Sequence, residues 1–186
     1  MTLNRAKGVH IMTYVSLKNL EALKRMAIIS GNNVPLEKED IIRGFRRYTR
    51  TKYSVPAQVL ELTNGHLMEC FVCYTLGILQ RLGVVKSINV ASYLDANQID
   101  FRVNGVDFQL KYDWDAETNA YTERLYGIPV VAIPSLRRSR VEYVVFSEVL
   151  EDMLLKAHVP QQVITNVWAT TDLFDACDEI WAWLAK

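Results

Sequence analysis

The stretch Asp100-Phe-Arg-Val-Asn-Gly-Val-Asp-Phe-Gln-Leu-Lys111 determines how the centre of this chain is expected to fold. Two runs of alternating apolar and polar residues flank an Asn-Gly pair, which is the strongest short-range signal for a β-hairpin. Because successive side chains of a strand point to opposite faces, Asp107, Gln109 and Lys111 are expected on one face. The pattern therefore predicts a hairpin with an acid at the start of its first strand, and an amide and a lysine on its second.

The hydrophobic period on either side of this hairpin predicts the other elements. A period near 3.6 predicts helices over 16–29, 36–49, 56–62, 66–82, 147–158 and 172–184. β-rich runs predict strands over 84–90, 99–103, 106–112, 128–133 and 141–146. The order predicts an α/β fold with a mixed β-sheet flanked by helices. We place a helical N-terminal extension at 1–63 and the α/β core, with C-terminal helices, at 64–186.

Composition limits the class of protein. The 186 residues are 50% hydrophobic and 23% charged, as expected for one well-cored domain. No segment reaches the roughly 18 to 20 apolar residues of a membrane helix, and the N-terminus does not resemble a signal peptide, so cytoplasmic residence is expected. Lys plus Arg equals Asp plus Glu at 21 each, which disfavours a protein that coats nucleic acid through bulk charge.

Cysteines and histidines do not form a recognisable site. Cys70 and Cys73 lie in an apolar helical segment and no second pair follows, so buried free thiols are expected. The chain has no Walker loop, no GxGxxG and no GxSxG motif, which leaves ATP use and serine-type hydrolysis without support.

The hairpin carries groups that suit phosphodiester hydrolysis. Hard divalent cations prefer carboxylate and carbonyl oxygens, which Asp100, Gln109 and the backbone of Leu110 can supply. Lys111 can orient a water or stabilise the phosphorane. Glu69, on the preceding helix, can reach the metal or a metal-bound water. The competing interpretation is an ordinary polar hairpin face in solvent.

The order of these residues resembles the PD-(D/E)xK nuclease superfamily, and most closely its Mrr-type restriction endonuclease branch. The matching pieces are Gly65-His-Leu-Met-Glu69 continuing to Leu82-Gly83, then Ile99-Asp100, then Gln109-Leu-Lys111. The resemblance implies a restriction-endonuclease-like fold and a Mg²⁺-dependent deoxyribonuclease, with Mn²⁺ as a possible substitute. It implies Glu69, Asp100, Gln109 and Lys111 as the catalytic residues, with the ion on Asp100, Gln109 and Leu110. Gln in place of Glu removes a charge, which leaves open an inactive site.

Basic residues are clustered in two places that we interpret as DNA contacts. They are Arg43, Arg46, Arg47, Arg50 and Lys52 in one segment, and Arg137, Arg138 and Arg140 in a turn. Cutting both strands of a duplex calls for two sites, so a homodimer is expected. The alternatives are an inactive DNA-binding or protein-interaction module on the same fold, and a structural protein that does not bind nucleic acid.

Overall fold

The computed structural model describes residues 20–50, 64–91, 99–112, 130–133 and 146–184. Its helices are α1 over 20–33, α2 (Lys38–Arg50), α3 (Asn64–Arg81), α4 (Phe146–Lys156), α5 (Gln161–Thr170) and α6 (Leu173–Leu184). Its strands are β1 (Ile88–Val90), β2 (Phe101–Val103), β3 (Val106–Tyr112) and β4 (Val130–Ile133). The predicted α/β class is confirmed.

The described strands form one mixed sheet in the order β1-β2-β3-β4. β1, β2 and β3 pair antiparallel, and β3 pairs parallel with β4. The hairpin between β2 and β3 turns at Asn104 and Gly105, with φ of 51° and 82°. Positive φ at both central positions is the twist that a two-residue hairpin loop requires, which explains the Asn-Gly pair. The mixed sheet and the hairpin are confirmed.

The hairpin has one apolar and one polar face. Phe101 and Phe108 are fully buried, and their rings stack with centroids 5.9 Å apart. Arg102 lies opposite Asp107 on the other face and pairs with its carboxylate, with one N–O contact at 3.0 Å. Helix α3 packs against β1 and β3. The pleat therefore directs every second hairpin residue into the core and leaves the alternate residues for polar contacts.

Helix α1 lies directly against α3, backbone to backbone. A Cβ atom added at Gly31 would overlap the Tyr74 carbonyl oxygen, and one at Gly77 would overlap the Ile28 carbonyl oxygen. Only glycine allows two helices to approach this closely. The amide of Asn32 donates to the Gln80 side chain at 3.1 Å near the C-terminal ends of both helices.

The helices of the predicted N-terminal extension share the hydrophobic core of the rest of the chain. Phe45 of α2 is fully buried and meets Phe71 and Tyr74 of α3 edge to face, with centroids 5.2 Å and 5.3 Å apart. The Tyr74 hydroxyl donates to the Ile41 carbonyl at 2.7 Å. The core is continuous from Leu20 to α6.

Several predicted boundaries were wrong. The helix expected to end at residue 29 continues to residue 33, where the side-chain amides of Asn32 and Asn33 donate to carbonyls of its last turn. The strand expected from residue 84 starts at Ile88. The N–H groups of 84 and 85 bond the Leu79 carbonyl, and those of 86 and 87 bond the Asn104 side chain.

The C-terminal part contains one helix that the sequence did not predict. Helix α5 carries no charge and begins after Pro160 without a side-chain cap, so the usual start signals are missing. Helix α4 starts at Phe146, one residue before the predicted start, and ends at Lys156. Both the N–H and the hydroxyl of Ser147 donate to the Asp178 carboxylate of α6, at 2.8 Å and 2.9 Å.

Some predictions fall outside the described residues, namely the helix over 56–62 and most of the strand over 141–146. The three cysteines are free and buried, as predicted. Within the described ranges, no helix is long and apolar enough to cross a membrane.

Candidate functional site

Asp100 lies one residue before β2 and is fixed to β3 by two hydrogen bonds. Its backbone N–H donates to the Phe108 carbonyl at 2.9 Å, and its carboxylate Oδ2 accepts the Leu110 N–H at 2.6 Å. The paired residues of β2 and β3 end at Phe101 and Phe108. These two hydrogen bonds therefore join Asp100 to the residues on either side of Gln109 in β3. The structure thus brings the predicted acid to the strand that carries the predicted amide.

Leu110 and Lys111 follow in the same strand. The two backbone polar groups of a residue in an antiparallel strand point to the same neighbouring strand. Because the Leu110 N–H faces Asp100, the Leu110 carbonyl is directed to the same side of β3. Gln109 is 4% exposed, so its side chain is buried. The backbone of Lys111 pairs with Ala132 of β4, and its side chain lies outside the described part of the structure.

Glu69 reaches this region through a lysine that the sequence did not identify as part of the site. The ammonium of Lys24 donates to Glu69 Oε2 at 2.9 Å and to the backbone carbonyl of Asp100 at 3.2 Å. The two side chains are 6% and 11% exposed, so the ion pair is buried. Lys24 thus connects α1, the first turns of α3 and the start of β2 at a single point.

The electrostatics of the pair keep Lys24 charged. Burial alone lowers the pKa of Lys24, but the Glu69 carboxylate, with a smaller effect of Asp100, raises that pKa above its ordinary value. Burial raises the pKa of the Cys73 thiol, which is close enough to interact with Lys24, so the thiol is neutral.

His66, one turn before Glu69 on α3, also interacts electrostatically with Lys24 and Asp100. Burial lowers its pKa, the Lys24 ammonium lowers it further, and Asp100 partly opposes them. Such a histidine is neutral at pH 7 in the folded chain.

A histidine whose pKa is lower in the folded chain than in the unfolded chain makes stability fall in acid. The unfolded chain takes up the proton first, so stability is lost as the pH falls below about 6.5 towards the folded pKa. We expect the free energy of unfolding to decrease more between pH 7.5 and 5.5 in wild type than in His66→Gln. Urea unfolding at several pH values measures this, and parallel profiles would exclude a depressed pKa for His66.

The predicted ligand oxygens are of the kind that a hard divalent cation prefers. They are one carboxylate, one backbone carbonyl and one amide oxygen, and Mg²⁺ is typically held by one or two carboxylates while it keeps several waters. Within the described residues, no three His, Cys, Asp or Glu side chains cluster closely enough to hold a metal. Any ion here would therefore depend on Asp100 as its charged ligand and on neutral oxygens for the rest.

The predicted DNA-contacting residues of the first basic segment lie on α2. Arg43 is 66% exposed and pairs with Asp40 at 3.2 Å, and the Arg46 guanidinium lies 5.7 Å from the centroid of the Trp183 ring. Arg43 and Arg47 line a cavity of about 490 Å³ between α1 and α2. The side chain of Arg50 lies outside the described residues, as do Lys52, Arg137, Arg138 and Arg140.

The sequence contains a feature that could have identified Lys24 as a buried, paired lysine. The apolar face of α1 is set by Leu20, Leu23 and Ala27, and Lys24 falls on that face, four residues after Leu20. A lysine on an apolar helix face needs a buried partner, because an unpaired buried charge is costly. The identity of the partner, Glu69, depends on tertiary structure.

Comparisons with known proteins do not extend the resemblance. No protein-family model matches the chain, and no curated protein or solved structure matches it. The resemblance to PD-(D/E)xK nucleases therefore rests on the short sequence motif alone.

Proposed function

We propose that this chain is a metal-dependent DNA endonuclease of the restriction-endonuclease-like fold. The observation that carries the proposal is the position of Asp100. Its carboxylate accepts the Leu110 N–H of β3, and its backbone carbonyl accepts the Lys24 ammonium that also binds Glu69. A helix with Glu, a strand start with Asp and a strand with Gln-x-Lys is the order that the resemblance requires.

Each residue then has a distinct task. Asp100, Gln109 and the Leu110 carbonyl would hold Mg²⁺, or Mn²⁺ in its place. The bound ion would supply a Lewis acid and an activated water. Lys111 would orient the attacking water and stabilise the charge that develops on the phosphorane. The hydrogen bond from the Leu110 N–H fixes the orientation of the Asp100 carboxylate, so the ligand is preorganised.

The substrate and the assembly follow from this chemistry. The arginines of α2, with Lys52 and the basic turn at 137–140, would bind the DNA backbone. A homodimer would present two sites to the two strands. Cytoplasmic residence would give the enzyme access to DNA.

A second function is favoured by one observation. Lys24 forms a buried salt bridge with Glu69 and Gln109 brings no charge, so the site offers less negative charge to a metal than the sequence predicts. A site of this kind binds a metal weakly. The second candidate is therefore a catalytically inactive DNA-binding or protein-interaction module.

Lys111→Ala tests the proposed reaction. We expect wild type to cut plasmid or branched DNA with Mg²⁺ or Mn²⁺ and not with EDTA. The variant should cut at least about a hundredfold more slowly, because removing one transition-state donor costs about 10²–10³ in rate. Gel assays of both proteins, with DNA binding measured in parallel by mobility shift, provide the comparison.

The outcomes separate the candidates. Metal-dependent cutting that is lost in Lys111→Ala supports the nuclease, and equal cutting by both proteins contradicts the role of Lys111. Binding without cutting by either protein supports the inactive module. No binding by either protein contradicts both proposals.

A further inference from the structure

The Lys24 ammonium contacts both acidic positions of the candidate site. It is buried, and it donates to one carboxylate oxygen of Glu69 at 2.9 Å and to the backbone carbonyl of Asp100 at 3.2 Å. An ammonium has three N–H donors and no acceptor. Lys24 therefore acts at this point as a fixed positive charge.

A fixed ammonium and a divalent ion compete for the same carboxylate. A metal ligand must offer its lone pairs at about 2.0–2.1 Å to Mg²⁺, and Glu69 Oε2 is already used by Lys24. A divalent ion on Glu69 would also lie against the ammonium, where like charges repel strongly because water is largely excluded. Asp100, in contrast, receives a neutral backbone N–H on Oδ2 and is only partly buried.

We propose that Lys24 takes the place of a divalent ion at Glu69, so that the site binds a single divalent ion on the Asp100 side. Lys24 is then a positioning residue. It fixes Glu69 and the start of β2, and it sets the number of ions without touching substrate. This inference rests on the proposed nuclease function.

The position of Lys24 on the apolar face of α1 is consistent with a role that depends on its charge. Lys24 lies among Leu20, Leu23 and Ala27, where an apolar residue would pack without any desolvation cost. Replacing a buried ion pair with apolar residues is often neutral or stabilising, so stability alone does not require lysine here.

Mn²⁺ binding to the full chain, measured without DNA, tests the proposal. We expect one Mn²⁺ per chain for wild type. Lys24→Met should bind Mn²⁺ at least tenfold more tightly or take up a second ion, because Glu69 loses its internal cation. Lys24→Met with Glu69→Gln should return to the wild-type affinity and number. Lys38→Met is the matched control, since it removes the exposed pair of Lys38 and Glu179 at 3.1 Å, and it should not change Mn²⁺ binding.

Lys24→Met leaves Glu69 buried without its lysine partner, so the variant is expected to be less stable than wild type. This loss of stability provides a second test. If Lys24→Met unfolds in EDTA, Mn²⁺ should restore its fold, because binding to the folded state is linked to folding. Unchanged Mn²⁺ affinity and number in a folded Lys24→Met overturn the proposal. Two ions on wild type, no ion on either protein, or an unfolded variant that Mn²⁺ does not restore also overturn it.

Failure of this inference is distinguishable from failure of the nuclease function. Mn²⁺ binding by Lys24→Met but not by wild type would support the role of Lys24 while counting against a metal-dependent wild-type enzyme. One ion on wild type with unchanged binding by Lys24→Met would contradict the role of Lys24 and would remain compatible with a metal-dependent enzyme. DNA cleavage is measured separately and does not enter either outcome.

Discussion

Asp100→Asn is expected to abolish divalent-metal binding and to slow DNA cleavage by about 10²–10³-fold or more, while the chain stays folded. The substitution removes the charge of the proposed principal ligand and keeps its shape. The oxygen of the new amide can still accept the Leu110 N–H that Asp100 accepts at 2.6 Å. Mn²⁺ titration, a cleavage assay and urea unfolding, all on one preparation, measure the three effects.

The same hairpin offers a matched control for this experiment. Asp107→Asn makes the identical chemical change on the next strand, where the carboxylate pairs with Arg102, a residue 51% exposed in its side chain. Exposed ion pairs contribute about 0–1 kcal/mol, so Asp107→Asn should leave stability and metal binding close to wild type. Equal loss of metal binding in both variants would show that general acidity of the hairpin, rather than Asp100, holds the ion.

The hairpin was predictable because its determinants are local. The Asn-Gly pair requires two positive φ values, and the alternation of Phe101 and Phe108 with polar neighbours sets which face is buried. The hairpin then brings Asp100 to Leu110 of the facing strand, a contact that also needs no long-range information. Helix α3 was predictable for the same reason. The glycine at position 83, with φ of 75°, is a local signal for the end of a helix.

The partners supplied from elsewhere in the chain were not predictable. Lys24 is separated from Glu69 by 45 residues, and Asp178 lies 31 residues from the Ser147 groups it binds. The hydrophobic periodicity of a segment does not identify which distant carboxylate will bind a polar group on that segment. The charge of the site therefore differs from the sequence prediction, which counted two available acids where the structure neutralises one of them.

Gly77→Ala is expected to destabilise the chain, although the same change usually stabilises a helix by about 0.5–1 kcal/mol. A Cβ at this position would overlap the Ile28 carbonyl oxygen of α1. The two helices would have to separate, and overpacking of this kind costs about 1–3 kcal/mol or more. Lys24 lies one turn before Ile28, so the same separation should weaken its contact with Glu69. Urea unfolding and Mn²⁺ titration of the variant measure the two effects.

Thr165→Ala serves as the reference for this prediction, because residue 165 is exposed on α5 and gains helix propensity without a clash. We expect Thr165→Ala to unfold at the same or slightly higher urea concentration than wild type and Gly77→Ala at a clearly lower one. Mn²⁺ binding should change in Gly77→Ala in the same direction as in Lys24→Met, since both weaken the ammonium–carboxylate contact. A Gly77→Ala variant as stable as Thr165→Ala would mean that α1 does not lie against α3 in solution, and the position of Lys24 in the site would lose its structural basis.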